Sequence, residues 1–464
     1  MNDYPAVIDL VVNNDLCTGC GICTYNCPSN AISMGWNIDG FIVPELTGNC
    51  DNDSACLSVC PFNPYPEKKS KTEDEISHIF LKEAGKEHKQ VGKYAGIYAG
   101  YAEEFRLTSS SGGIGTFVLA DLLDRGIVDH VFSVKSGEEN GKEFYHYSVS
   151  NNKNELMASA ETKYFPVTLS SVFSEIDDLK GRVAIVGVSC FIKAIRLAQI
   201  SNPILKEKIP FLVGIICGGI KSSFFTEYLA DSSGVKAVDI SSPNYRVKDM
   251  ASTAGDYSFS CSSLLDQKRH SIKMRTVGDM WGTGLFKANA CDFCDDVTTE
   301  LADISIGDAW IAPYIFDGKG TNVIITRSKI AETIIQNGIK SERLVIDSLS
   351  LESFIASQQG SFNHRQLGQP YRLKEAIKHD RIVPPKRFDK DINVPLDFKI
   401  VQYLRMKVRA KSFKVWIKSR NSKEFNSEMK LIRKTLTIAT KLTHYRKTFF
   451  SRGLFGAIKR KLKK

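Results

Sequence analysis

The chain has 464 residues, 12 of them Cys, with 62 Lys+Arg against 52 Asp+Glu for a formal net charge of +10. At 42% hydrophobic and 25% charged residues it has the composition of a globular protein with real cores, which excludes a disordered or collagenous chain. No apolar run reaches the ~18 residues a transmembrane helix needs, and the opening MNDYPAVIDLVVNNDLC predicts no secretory signal.

Without such a signal the cysteines read as metal ligands or reactive thiols of a cytoplasmic protein. The charge is uneven. Residues 401–464 carry 20 Lys+Arg and 2 Asp+Glu, a net of +18, while the preceding 400 residues carry 42 and 50, a net of −8.

Residues 1–66 predict a small α+β domain of the bacterial ferredoxin type. Cys17, Cys20, Cys23 and Cys27 follow C-x-x-C-x-x-C-x-x-x-C with Pro28 next. In that run three thiolates grip one 4Fe-4S cube and the fourth reaches a second. Gly19 and Gly21 supply the backbone angles of a tight wrap. Cys50, Asp53, Cys56 and Cys60, followed by Pro61, repeat the spacing with a carboxylate at the second position. The spacing predicts one cube on Cys17, Cys20, Cys23 and Cys60, and another on Cys27, Cys50, Cys56 and Asp53. Carboxylate is a harder ligand than thiolate, so the Asp53 corner is expected to lose iron in air and give a 3Fe-4S form. A zinc module would use paired C-x-x-C, often with His, and no His precedes His78.

Residues 67–90 are charged and read as a linker or exposed helix. Beyond them the runs Ile97–Ala102, Val183–Val188, Phe211–Cys217, Asp303–Ile306 and Val323–Thr326 predict buried strands. Amphipathic stretches between them argue an α/β fold with a mixed sheet. No G-x-G-x-x-G is present, so a standard dinucleotide site is not expected. Thr108 to Phe117 reads T-S-S-S-G-G-I-G-T-F. Such a loop opening a helix suits an anion or cofactor, and a plain capped helix explains it equally well. Cys190 and Cys217 end apolar runs, and Cys291 and Cys294 form C-D-F-C. Strand ends gather ligands in α/β sheets, so these four thiols are candidates for a third 4Fe-4S cluster. Ordinary core burial is the competing explanation for the two single cysteines. Cys261 reads as structural, and no His pair has ligand spacing.

Taken together, R-L-T-S-S-S-G-G, T-K-Y, G-V-S-C-F-I-K-A-I-R, I-C-G-G, C-D-F-C-D-D and A-D-I-S-I-G-D-A-W resemble the family of coenzyme F-420 hydrogenase/dehydrogenase beta subunits over roughly residues 10–345. The resemblance implies an iron–sulfur flavoprotein that binds FAD and moves electrons between a hydride carrier and its clusters. Its flavin loop maps to Ser109, Ser110, Ser111, Gly112, Gly113 and Thr116, and its S-K-Y element to Lys163 and Tyr164, with Thr162 replacing the serine. Cys190, Cys217, Cys291 and Cys294 all match family cysteines. This chain departs at Val188 and Ser189, which replace Thr-Pro, and at Gly218, which replaces a His. These departures bear on the hydride partner, because the candidate ligands survive. Asp303, Gly307, Asp308 and Trp310 match A-D-I-x-x-G-D-x-W. The catalytic residues are left unassigned. The resemblance divides the body into 91–175 and 176–345.

Residues 346–398 read as a connector, with Pro-punctuated extended chain over 381–398. Residues 399–464 predict a helical basic tail. Phe450, Leu454, Ile458 and Leu462, with Phe455, alternate with Arg452, Lys459, Arg460, Lys461, Lys463 and Lys464. That pattern fits an anionic membrane surface, and so peripheral attachment to the inner membrane face. Docking on the acidic body fits equally. No groove-reading motif accompanies the charge, so no nucleic-acid partner is expected. The predicted activity is oxidoreduction between a hydride-carrier coenzyme and a ferredoxin-type protein. The alternative is an electron-delivery partner of another enzyme, such as one in membrane-associated polysaccharide synthesis.

Overall fold

The computed structural model describes residues 4–51, 53–137, 143–278, 280–388 and 393–461, with side chains for all of these except 280 and 447–461. In the head, β1 (Ile32–Trp36) and β2 (Ile42–Leu46) form an antiparallel hairpin. Two short helices, Ile22–Tyr25 and Ala55–Ser58, carry the cysteine loops. Gly19 and Gly21 have φ of 76° and 81°, as the tight wrap requires. Gly21 also meets the body, where a Cβ would come within 2.9 Å of the Ser170 amide.

The 67–90 segment forms a helix, Glu73–Phe80, opened by a Thr72/Glu75 capping box. It is docked rather than exposed, because Ile76 is buried and Glu73 pairs with Lys193 at 3.1 Å. Burial opposes ionisation of Glu73, but Lys193 and Arg387 hold its carboxyl well below the usual range. The hairpin β3 (Lys86–His88) and β4 (Gly92–Tyr94) follows.

The body is built on an eight-stranded mixed sheet. Its strands are β5 (Gly96–Ala102), β6 (His130–Ser136), β7 (Tyr145–Ser150), β8 (Val183–Val188) and β9 (Phe211–Ile215). After a separate three-stranded sheet of β10 (Ile240–Val247), β11 (Ser258–Ser263) and β12 (Arg269–Lys273), it is completed by β13 (Ile304–Asp308), β14 (Asn322–Thr326) and β15 (Leu344–Ser348). The order is β15-β5-β14-β13-β9-β8-β6-β7. The central β6, β8, β9 and β13 are parallel, and the flanking pairs are antiparallel. Successive residues serve opposite faces. Ala184 and Val213 pack with the helix Ile114–Asp124, and Ile185 and Leu212 with the helix Ser189–Ser201.

All the predicted strands are present. β6, β7 and β15 were not legible, since their apolar residues are interrupted by Ser, Lys, His and Asp.

The 346–398 stretch differs from a connector over its first half. The helices Leu351–Ser357, Gln359–Phe362 and Gln369–Lys378, with a π-helical turn at Asn363–Leu367, fill it, and residues 381–388 lack regular structure. These helices bury Arg365, Gln366, Gln369 and Arg372 beside Phe354, Phe362 and Leu373, so polar residues interrupt the hydrophobic period.

The tail is a helical hairpin, Leu396–Ser419 and Ser422–Lys461. Trp416 and Phe425 enter one core with Tyr228 and Phe286 of the body, with Tyr228 and Phe425 ring centroids 5.0 Å apart. Docking on the body is thus apolar, assisted by Arg420 on Glu227. The predicted terminal stripe of Phe450, Leu454, Phe455, Ile458 and Leu462, with its basic residues from Arg452 to Lys464, lies outside the described side chains. Among the described residues no helix is long and apolar enough to cross a membrane.

Candidate metal centres and cofactor site

The two cysteine runs of the head meet, with Cys60 of the second run beside the first. Cys17, Cys20, Cys23 and Cys60 line one cavity, walled by Val7, Val11, Leu16, Val59 and Phe62. Burial pushes the thiols up, to about 12 for Cys17 and about 11 for Cys20. For Cys23 and Cys60 the neighbouring thiols add to the rise. Cys56 lies in the electrostatic reach of Cys27, Cys50 and Asp53. Backbone N–H groups already point at sulfur, from Gly19 to Cys17 (3.3 Å) and from Ala31 to Cys27 (3.4 Å). One Asp53 carboxylate oxygen accepts the Ala55 N–H at 2.9 Å.

In the body, Cys190 sits in the first turn of the helix after β8. Cys217 follows β9, and Cys291 lies in the 3-10 turn Asn289–Phe293 with Cys294 at its end. Cys190 feels Cys291, Cys217 and Cys294, so the four thiols of three distant segments face one another. Cys20 of the head is also within its reach. Gly219 donates to Cys217 sulfur (3.2 Å) and Ile220 to Cys291 sulfur (3.2 Å).

Among the described residues no three His, Cys, Asp or Glu close on one point as ligands of a single ion would. An all-cysteine donor set with inward N–H groups fits an iron–sulfur cube, whose iron corners make each thiol a thiolate.

Sequence reasoning missed the charges around the third set. Arg365 donates to Cys294 sulfur (3.5 Å), to the Asp296 carbonyl (2.6 Å) and to the Cys217 carbonyl (2.5 Å). Burial opposes its charge, but Cys294, Cys217 and Cys291 hold it well above its ordinary value. Arg372 donates to the Asp292 carbonyl (2.8 Å) and the Gln402 side chain (2.6 Å). Asp292, inside C-D-F-C, pairs with Lys287 at 2.8 Å and with Arg409 of the tail.

The Ser–Gly loop is drawn to the T-K-Y element. Ser110 accepts the Thr162 N–H at 2.7 Å, Ser111 donates to the Thr321 carbonyl (3.2 Å), and the Ser109 and Thr116 hydroxyls are 3.5 Å apart. Gly112 admits no side chain, since a Cβ would lie 2.7 Å from the Gly100 carbonyl oxygen. Asn322 fixes the helix start by accepting the Ile114 N–H at 3.2 Å. Lys163 donates to the carbonyls of Ser159 (2.5 Å), Ala160 (3.0 Å) and Glu161 (3.0 Å), and burial lowers its ammonium to about 8.

Next to it, the Tyr164 ring meets Trp281 at 4.8 Å, and its charge neighbours include Arg246, Asp308 and Cys217. Gly218 faces the same indole, with a Cβ due 2.8 Å from it, so Trp281 occupies the space a side chain there would need. Tyr164 therefore connects the Ser–Gly loop region to the third thiol set.

Comparison with known proteins agrees with this arrangement. The family described as "Coenzyme F420 hydrogenase/dehydrogenase, beta subunit" is matched in its C-terminal part by residues 180–351 and in its N-terminal part by residues 97–174, and "4Fe-4S binding domain" matches 10–33. The F subunit of F(420)H(2) dehydrogenase from Methanosarcina mazei is 24% identical over 344 residues, 71% of this chain and 84% of that protein. Coenzyme F420-dependent sulfite reductase of Methanocaldococcus jannaschii is 22% identical over 362 residues, 74% of this chain and 50% of that protein. A chain of the F420-reducing [NiFe] hydrogenase complex from Methanosarcina barkeri superposes with a TM-score of 0.50 at 17% identity, covering 65% of this chain and 99% of that one. The head is a 4Fe-4S ferredoxin domain, and the chain belongs to the family of coenzyme F420 hydrogenase/dehydrogenase beta subunits, which are iron–sulfur oxidoreductases.

Proposed function

We propose that the chain is a flavin and iron–sulfur relay between a hydride carrier and a ferredoxin-type acceptor. FAD would be held by the Ser109–Gly113 loop and Thr116, with Lys163 close by. Bound FAD takes a hydride as an electron pair and releases single electrons. Cys190, Cys217, Cys291 and Cys294 would hold a third cluster beside Tyr164, Cys17, Cys20, Cys23 and Cys60 a first head cluster, and Cys27, Cys50, Cys56 and Asp53 a second, and these clusters would supply one-electron transfer along the chain.

The observation that carries this reading is Cys190, which interacts with Cys217, Cys291 and Cys294 of the body and packs against the core cluster that holds Cys20 of the head. Head and body are thereby one path. The relatives named above act on different substrates, which suits an electron-input module. Anaerobic purification with iron, sulfide and flavin quantitation, followed by reduction with coenzyme F420 or NAD(P)H, tests it. About twelve iron and one flavin per chain, with flavin reduced by one of the donors, are expected. Absence of flavin overturns the hydride step.

A second reading adds an anionic membrane surface, under which the chain is peripheral on the inner face and delivers electrons there. On the helix Ser422–Lys461, Leu431, Ile438, Leu442 and Tyr445 form one exposed stripe, with Leu431 77% exposed, beside exposed Lys434 and Lys441. That stripe is opposite the buried Phe425, Met429 and Leu436. Flotation with vesicles of anionic and neutral lipid, using native protein and Leu431→Glu with Leu442→Glu, is the test. Equal flotation of both proteins sinks the membrane reading.

A further inference from the structure

We infer that arginines contributed from beyond residue 351 make the third centre the electron sink of the relay, the centre that fills first when electrons enter. The inference rests on the reading of Cys190, Cys217, Cys291 and Cys294 as cluster ligands, and extends it to how that cluster is tuned.

Reduction of a cube adds one negative charge without making or breaking a bond. One electron from the reduced flavin, or from dithionite in the test, takes the cube core from 2+ to 1+. The cost of that charge is set by the fixed charges nearby, acting through a low dielectric. Around the third set these are guanidiniums. Arg365, Arg372 and Arg409 are 4%, 1% and 8% exposed. Arg365 acts on Cys294, Cys217 and Cys291, Arg372 on Cys294, and Arg409 on Cys291. Arginine keeps its proton under these conditions, so no proton uptake need accompany the electron.

Of the carboxylates in the neighbourhood, Asp292 and Asp295 have cations of their own. Asp292 is paired with Lys287 and Arg409. Asp295 lies 3.9 Å from Lys386 and 3.7 Å from Arg387. Asp296, which also acts on Cys294, has both oxygens engaged by backbone N–H groups of Thr298 and Glu300. Arg365 and Arg372 have no carboxylate among their hydrogen-bond partners, which are carbonyls, an amide oxygen, a His364 ring nitrogen and sulfur. Asp296 is the one carboxylate among the charges acting on Arg365, and none is among those acting on Arg372, so the positive charge facing the thiols is only partly offset.

Among the described residues, no cation is among the leading influences on the first head set. The strongest influences on Cys17, Cys20, Cys23 and Cys60 are burial, backbone N–H groups and one another's thiols. Both sets are deeply buried, so the difference in charge sets their order.

The family match ends at residue 351. Arg365 and Arg372 lie on the short helices after it, and Arg409 on the first tail helix. The C-terminal quarter of the chain thereby acquires a role, which is to position positive charge over a centre whose ligands all lie before it.

The test is an EPR-monitored redox titration of the anaerobic full-length protein, with the Cys190→Ser variant identifying the third centre's signal. The third centre is expected to reduce at the highest potential of the three. Arg365→Gln should lower its reduced-to-oxidised ratio about tenfold at a fixed potential near its midpoint, equivalent to about 59 mV for one electron. Arg365→Lys, which keeps the charge, should recover most of that change. Asp292→Asn should move the ratio the opposite way, and the head signals should not move in any variant. Arg409→Gln serves if Arg365→Gln does not fold. A native third centre that reduces after the head centres overturns the inference, as do shifts of the same sign in Arg365→Gln and Asp292→Asn. About eight iron per native chain overturns the third-cluster reading itself, and this inference with it. About twelve iron with unmoved potentials overturns the inference alone.

Discussion

Cys17, Cys20, Cys23 and Cys60 sit among Val7, Val11, Leu16, Val59 and Phe62, whereas Cys190, Cys217, Cys291 and Cys294 sit among Arg365, Arg372 and Arg409. The first set is wound from one short stretch of chain plus Cys60. The second is collected from the ends of β8 and β9 and a 3-10 turn, then closed over by helices that come later in sequence. A local wrap stabilises its centre with backbone N–H groups and apolar walls. A non-local one has whole elements to place around it, and can choose its charges. The same donor chemistry is thus set in two different electrical environments.

The largest expected effect breaks the link between the two sets. Cys190→Ser should remove about four iron per chain and leave the head's share in place. Head clusters should then still be reduced by dithionite but no longer by the hydride donor through flavin. Iron quantitation with stopped-flow absorbance checks both. If hydride-driven reduction of the head persists, electrons do not pass by way of Cys190.

Next in size is the charged anchor between head-side linker and body. Arg387 bonds Glu300 at 2.7 and 2.8 Å and lies 3.8 Å from Glu73 and 3.7 Å from Asp295, with 5% of its side chain exposed. Arg387→Ala leaves buried carboxylates uncompensated and should cost about 3–5 kcal/mol in denaturant unfolding. The head's own cysteine loops do not use this network, so its visible absorption should survive until global unfolding. Earlier loss of the head absorption would mean that the linker, not the local wrap, holds the clusters.

These cases show why the head was legible in the sequence and the third centre only in part. Spacing from Cys17 to Cys27 is itself the geometry of a tight wrap, so reading it needs no tertiary information. Cys190 and Cys217 were visible as strand-end residues because β8 and β9 are unbroken apolar runs. Arg365 and Arg372 were not, because buried polar residues follow neither the helical nor the strand period. Nor could composition tell that the basic tail docks through Trp416 and Phe425. Its charge dominates any count, while its packing depends on a few aromatic side chains meeting Tyr228 and Phe286.

A smaller effect sharpens the electrostatic side of the comparison at the proposed flavin site. Burial lowers Lys163 to about 8, from an ordinary value of 10.5. Below about pH 8 it is a cation and favours the reduced, negatively charged flavin, while above that it is neutral and does not. Lys163→Met should therefore lower the flavin potential at pH 7 and change it little at pH 9. Spectroelectrochemical titration at the two pH values checks this. An equal shift at both would show that Lys163 acts through packing, not charge.

The smallest effect on stability lies at Asp53, and it separates the two head centres from each other. Its carboxylate accepts the Ala55 N–H at 2.9 Å at the start of the helix Ala55–Ser58, in reach of Cys56. Asp53→Cys gives up that hydrogen bond, at a cost of about 0.5–1.5 kcal/mol at most, and supplies the softer ligand that iron in a sulfur-rich site prefers. Air-exposed native protein should show a 3Fe-4S EPR signal at the second centre, and the variant should not. The first and third centres, which have four thiols each, should respond alike in both proteins. If the native signal stays 4Fe-4S in air, Asp53 serves the helix start and not the iron, and the weak corner of the head is no corner at all.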